Sequence, residues 1–260
     1  MRKYGFKTYS TNLQTAPALF GECADFAKSK DDVFVELMVV THTSEQEIRQ
    51  IQQQLNGVEV RIHAPHHMME FDAGNKSKEK QNREILEVSQ LAADVFGAKT
   101  IVVHAGCGHD KEQIDETVRQ FKLFNDSRIV VENLPFIDDG DGMLLQGNTA
   151  AEIKHIMDET GCGFCFDFSH AICAALSLNI DIERQLQDFF ALKPDVYHLC
   201  DGDIGKAEDM HLHYGEGNYP LKHFLHDLTA ENAYITMETG HGVSQHNNLW
   251  IDDYNYLKNL

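Results

Sequence analysis

The chain has 260 residues, 42% of them apolar, enough for one large α/β barrel or two ordinary domains. Its 41 acidic side chains against 22 basic ones leave a net charge of -19, which argues against a broad electrostatic footprint for nucleic acid. The opening M-R-K-Y-G-F-K-T-Y-S lacks the apolar core of a signal peptide, and no run approaches the roughly 18 apolar residues of a membrane span, so the expectation is a cytoplasmic protein with no membrane partner. The 5 prolines and 18 glycines are spread among the periodic segments without a linker, so residues 1–260 read as one domain. Cys23, Cys107, Cys162, Cys165, Cys173 and Cys200 are scattered in a way that fits reduced thiols. The pair Cys162-Gly-Phe-Cys165 lies in a strand-like run, where the two thiols point to opposite faces and packing is the expected role.

Strand-like and helix-like segments alternate throughout, the signature of βα units and a parallel sheet. A short strand at 4–9 precedes a helix from about Pro17 to Lys28 and a second strand, V-F-V-E-L-M-V-V, at 33–40. Ser44 with Glu47 forms a capping box for a helix whose stripe is Ile48, Ile51 and Leu55 and whose stop is Asn56-Gly57. The third strand, V-E-V-R-I-H, ends at His63, and a long helix then runs from Lys78 to Phe96 with Gly97 as its left-handed cap. T-I-V-V-H ends at His104, and Asp110 caps the following helix. R-I-V-V-E ends at Glu132, and the next helix is capped by Thr149 with Glu152 and stopped by Gly161. G-F-C-F-D ends at Asp167, with helical material at 170–192 broken near Asn179. D-V-Y-H ends at His198, Pro220 sits early in a further helix, and A-Y-I-T-M-E ends at Glu238. Eight strands alternating with helices predict an α/β fold of the single (β/α)8 TIM barrel type.

His63, His104, Glu132, Asp167, His198 and Glu238 each fall at the carboxyl end of a predicted strand. In such a barrel those ends meet at one face, the face that carries the active site. One residue of this kind at a strand end would be an ordinary cap or hydrogen bond, but six in consecutive strands converge. The stretch from Val196 to Asn218 adds Asp209 and His211, and His170 follows Asp167 in D-F-S-H. Imidazole and carboxylate together suit zinc, manganese or iron, and nine such groups exceed the four that one zinc needs. They fit two or three ions, Zn2+ first and Mn2+ second, and paired ions suit in-line displacement at phosphorus.

The segments I-H-A-P at 62–65, V-H-A-G at 103–106, V-E-N at 131–133, F-D-F-S-H at 166–170, H-L-C-D at 198–201, D-M-H-L-H-Y-G-E-G-N at 209–218 and M-E-T at 237–239 resemble the endonuclease IV family, AP endonuclease family 2, within the xylose-isomerase-like barrels. The resemblance implies a zinc-dependent phosphodiesterase acting on a phosphoester, with DNA bearing an abasic site as the family substrate. It implies that His63, His104 and Glu132 hold one zinc, that Glu132 bridges to a second completed by Asp167, His198 and Glu238, and that His170, Asp209 and His211 hold a third. It implies too that Glu132 and Glu238 are the catalytic carboxylates, with Glu238 orienting or deprotonating the attacking water.

A sugar or sugar-phosphate isomerase or epimerase of the same superfamily is the alternative. It would use one metal held by Glu132, Asp167, His198 and Glu238, the two glutamates shuttling a proton. His63, His104, Asp209 and His211 separate the classes, since a one-metal isomerase does not require them. A barrel that keeps metal ligands only as a binding protein is a third class.

The chain departs from the nuclease pattern where DNA contacts are expected. His63 is followed by Ala64, Pro65, His66 and His67 in place of an aromatic wedge, and T-H-T-S-E-Q-E after the second strand has no arginine. Lys76, Lys78, Lys80 and Arg83 form the obvious cationic cluster, read as a solvated helix start, while Asp138, Asp139 and Asp141 would repel a polyanion. His213 is a candidate outer-shell residue, and His241 a candidate for the mouth after the eighth strand; His246 carries no assigned role.

Overall fold

A computed structural model of the chain describes residues 1–240 and 249–260. The chain begins with β1 (Lys3–Tyr9), α1 (Asn12–Thr15), α2 (Pro17–Lys28), β2 (Val33–Met38), α3 (Glu45–Gln54) and β3 (Glu59–His63). Two single turns of 3-10 helix at His67–Met69 and Lys76–Lys78 lead into α4 (Glu79–Phe96), β4 (Ile101–His104), α5 (Lys111–Phe124), β5 (Ile129–Glu132) and α6 (Ala150–Thr160). Then come β6 (Gly163–Asp167), α7 (Phe168–Leu178), α8 (Ile182–Phe190), β7 (Val196–Leu199), α9 (Leu221–Asp227), β8 (Tyr234–Met237) and α10 (Leu249–Asn259). The strands pair in parallel in chain order, and β8 returns to β1, closing an eight-stranded (β/α)8 barrel.

Strand alternation divides the apolar residues into two sets. Phe6, Val35, Leu37, Ile62, Val103, Val131, Phe166, Tyr197 and Ile235 belong to the main core beneath the helices. Val102, Val130, Cys165 and Val196 form a separate cluster inside the barrel, with Tyr234 packed against it. Phe34, fully buried, joins this inner layer by meeting Tyr234 edge-on, with ring centroids 5.5 Å apart. Gly5 is glycine for a local reason, since a Cβ there would stand 2.3 Å from the Phe34 ring.

The expected punctuation is present with small shifts. Ser44 and Glu47 form the capping box of α3, Asp110 caps α5 with Gln113, and the Thr149 side chain accepts from the Glu152 backbone. Gly97, Gly161 and Asn179 end α4, α6 and α7 in the left-handed conformation. Pro220 precedes α9 as its N-cap, with a ψ of 61° that is not helical, so the helix starts one residue later than Pro220. Cys162 stands just before β6 and is half-buried, while Cys165 points into the barrel; all six cysteines are free. Among the described residues no helix is long and apolar enough to cross a membrane.

Candidate metal centre

One layer above the inner apolar cluster, toward the carboxyl ends of the strands, the barrel interior becomes polar. The register sets His104 beside Glu132 and Asp167 beside His198, and Glu238 follows directly on β8. Glu132 is at the centre and fully buried. Its Oε2 stands 3.2 Å from Nε2 of both His63 and His104, and its Oε1 is 3.1 Å from His198 Nδ1. The two oxygens thus face different histidine sets. His198 Nδ1 also lies 2.9 Å from Glu238 Oε1. Beside them, Asp209 Oδ2 is 3.2 Å from His170 Nε2 and 2.7 Å from His211 Nε2, and His170 Nδ1 is 3.4 Å from Glu132 Oε1.

Asp167 is buried with them, and one oxygen caps α7 by accepting from the His170 backbone at 2.7 Å. His211 reaches its place from a left-handed backbone, with φ of 47°, a conformation that costs a non-glycine residue about 1 kcal/mol or more and clusters at functional sites. All nine residues expected from the sequence therefore gather around one end of the barrel.

The Nδ1 hydrogen bonds of three of the five rings test whether this set suits metal ions; His104 Nδ1 is buried without a partner. Nδ1 of His63 donates to Ala64 O at 2.7 Å, that of His170 to Asn133 O at 2.9 Å, and that of His211 to Glu238 O at 2.6 Å. A neutral imidazole so tied presents a bare Nε2 lone pair to the carboxylate opposite. Two acceptors at that range repel unless a proton or a cation sits between them. Ligand atoms each about 2.1 Å from a tetrahedral ion stand roughly 3.4 Å apart, close to the separations around Glu132. The donor set fits.

His198 is held by a different device. Its Nε2 is 3.1 Å from Glu36 Oε2, which also accepts from Thr236 Oγ1 at 2.7 Å. A carboxylate behind an imidazole fixes its tautomer and raises its basicity, leaving Nδ1 for the centre. Glu36 and Lys7 are the functional residues that strand-end reasoning misses. Lys7 is a side chain only 10% exposed and forms a very short ion pair with Glu238. Glu36→Gln is expected to keep the fold and weaken metal binding by about 10- to 100-fold. Chelator competition against the parent chain checks this, and an unchanged affinity would remove Glu36 from the site.

Charge in this layer is unbalanced. Glu36, Glu132, Asp167, Asp209 and Glu238 face one ammonium, Lys7. Burial alone would discharge Lys7, but Glu238, Glu36 and Glu132 outweigh it and hold the ammonium protonated. Burial likewise opposes charge on His211, yet Asp209 raises it to about 9, and the acids around His198 raise that ring well above its ordinary value. Asp167 is pushed up to about 7 by burial, with Asp209, Glu238 and Glu132 adding to it against His170. His104 goes the other way, to about 4, because burial outweighs Glu132. Protons therefore supply the missing positive charge, and bound divalent ions would displace them.

A cavity of about 330 Å³ opens above the layer, lined by Lys7, Tyr9, His66, His104, Glu132, His170, Asp209, His211 and Glu238, with Asp138 and Asp139 at its edge. His66 stacks on His104 with centroids 5.3 Å apart, and burial lowers it to about 2, so it contributes a neutral aromatic face. His213 pairs instead with Asp253 at 2.7 Å, to one side of the nine. Lys76, Lys78, Lys80 and Arg83 do not line the cavity; Lys80 pairs with Glu84 on the exposed face of α4. His241 and His246 lie outside the described residues.

A barrel whose carboxyl face gathers imidazoles and carboxylates defines a class, and the sequence agrees. A family model described as "Xylose isomerase-like TIM barrel" matches residues 24–260, and the chain belongs to that family. It is 25% identical over 184 residues to the "Probable endonuclease 4" of Mycobacterium bovis (strain BCG / Pasteur 1173P2), covering 68% of this chain and 71% of that one. Among solved structures, a D-tagatose 3-epimerase-like protein superposes with a TM-score of 0.70 at 18% identity, over 99% of this chain and 96% of that one. Endonuclease IV from Thermus thermophilus superposes with a TM-score of 0.65 at 18% identity, over 99% of this chain and 100% of that one. At such identity the two structures speak for the fold alone.

Proposed function

We propose that the chain is a metal-dependent phosphoester hydrolase similar in chemistry to endonuclease IV, holding two or three ions, zinc first and manganese second. The observation that carries this reading is the third group, His170, Asp209 and His211, which is separate from the His63, His104 and Glu132 group and meets Glu132 through His170 Nδ1, 3.4 Å from Oε1. A one-metal isomerase has no use for it. His63, His104 and Glu132 would hold one ion, Glu132 with Asp167, His198 and Glu238 the second, and the third group the last. Bound there, such ions supply a hydroxide at neutral pH and stabilise charge on phosphorus.

The protein's own groups orient and select. Glu36 and three backbone carbonyls fix the tautomers of four of the five rings, and Lys7 holds Glu238 while placing a fixed positive charge at the cavity floor. Tyr9, Met38, Leu134, Pro135 and Leu145 wall the cavity and limit water. At about 330 Å³ the space is at the low end of small-molecule sites, roughly 300–1,000 Å³. Among the described lining residues Lys7 is the one lysine or arginine, and the edge is acidic. A compact phosphoester suits this mouth better than a duplex, which needs cationic contacts along its backbone.

Zinc- or manganese-loaded protein should hydrolyse a small phosphodiester, and Asp209→Asn should lower the rate by roughly a hundredfold, about 3 kcal/mol of transition-state stabilisation. The same preparation assayed at low salt on an abasic-site duplex decides the DNA-repair version separately. Epimerisation of a sugar or sugar phosphate by protein holding one ion would overturn the hydrolase. The isomerase reading has its own support, since Glu132 and Glu238 both close on His198 Nδ1, as a proton-shuttling pair around one metal would.

A further inference from the structure

A further group able to hold an ion lies at the cavity edge and is separate from the nine. His67 leaves β3 in the 3-10 turn at His67–Met69, and Asp138 and Asp141 sit in the turn between the bridged residues Ile137 and Leu144 after β5. Each carboxylate has one oxygen tied to its own backbone. Asp138 Oδ1 accepts from Gly140 N at 2.8 Å and Asp141 N at 3.1 Å, and Asp141 Oδ1 accepts from Met143 N at 2.8 Å. Their remaining oxygens face His67 Nε2, at 3.3 Å from Asp138 Oδ2 and 3.7 Å from Asp141 Oδ2.

His67 is the part that points to a ligand. Its side chain is only 8% exposed, and its Nε2 is buried without a hydrogen-bond partner although a carboxylate oxygen is 3.3 Å away. A buried polar atom left unpaired costs about 1–3 kcal/mol. Distance without hydrogen-bond geometry is what two ligand atoms of one ion show, standing about 3.4 Å apart around a tetrahedral metal.

We infer that His67, Asp138 and Asp141 form an additional divalent-cation site on the rim, taking a transition-metal ion such as Zn2+ or Mn2+ with positions open to water or to an oxygen of the substrate. One imidazole with two carboxylates suits these ions. An ion there would offset the acidic edge that otherwise repels a phosphoester. It would also pin the turn whose Asp139 Oδ2 accepts from the Asp209 backbone at 2.8 Å, linking the rim to the third central group. The site itself does not depend on the hydrolase reading; its use toward a phosphoester does.

Equilibrium dialysis of the full chain against graded Zn2+, with excess Mg2+ present to suppress weak acidic sites, tests the inference by difference. Asp138→Asn/Asp141→Asn is expected to bind one ion fewer than the parent at saturation, whatever number the centre holds. His67→Gln, which leaves the turn's charges in place, is expected to weaken that one ion by at least tenfold and serves if the double variant does not fold. Equal uptake by the parent and the folded variants would overturn the site and leave His67 an ion-pair partner only. A parent that binds one central ion plus the rim ion would sink the hydrolase while sparing the rim.

Discussion

Glu132→Ala is expected to abolish turnover and, under the hydrolase reading, to empty more than one metal position at once. The two oxygens of this carboxylate face separate histidine sets, at 3.2 Å and 3.1 Å, so removing it takes a ligand from two positions. Loss of metal-derived stabilisation, worth several kcal/mol, corresponds to a rate lowered by roughly a thousandfold or more. Metal analysis of the folded variant should show at least two fewer ions under the hydrolase reading and one fewer under the isomerase reading. His104→Ala then separates them by rate, since a one-metal isomerase should largely tolerate it. A folded Glu132→Ala protein that retained full metal and full activity would dismiss this centre under both readings.

The second large effect concerns stability without metal. Lys7→Met removes the ammonium from a layer of buried carboxylates and leaves Glu238 with His198 alone. Breaking a buried pair in this way costs about 3–5 kcal/mol. Thermal melting of metal-free protein should show the loss at neutral pH, and metal loading should recover much of it.

The sign with pH follows from Glu238. Burial alone would raise that carboxyl, but His198 and Lys7 hold it well below its ordinary range. Its contribution is therefore present above the ordinary carboxylate range and lost as pH falls through the depressed value. The gap between Lys7→Met and the parent should shrink toward acid. Equal melting of the two metal-free proteins at neutral pH would mean that Lys7 does not balance this charge.

The strand ends were legible because each apolar run stops on a residue that could not remain in the core. His63, His104, Glu132 and Asp167 close their strands, His198 lies one residue before the end of β7, and Glu238 follows directly on β8. Lys7 and Glu36 were not legible in that way, because each lies two residues before its strand's end and reads as an interior position. Register brings them into the layer. Phe6 pairs with Met237, which sets Lys7 beside Glu238, and Lys7 pairs with Glu36. Barrel stagger is a property of eight strands together, and no single strand contains it.

A signal did exist: a charged residue on the inward parity of an otherwise apolar strand has nowhere to go but the barrel lumen. The rim arrangement had no such signal. Asp138 and Asp141 read as repulsive charges, and only the turn after β3 places an imidazole against them.

The inner cluster of Val102, Val130, Cys165 and Val196, with Phe34 wedged beside Gly5, makes the barrel a vessel stoppered at its base. Among the described residues, the opening to this layer is the mouth lined by Asp138, Asp139 and His66, which ions, water and substrate would share. Under the proposed hydrolase reading this makes traffic ordered: the deepest occupants would enter first and leave last, so the centre would be charged with metal before substrate arrives. A bound substrate would then act as the lid that retains it.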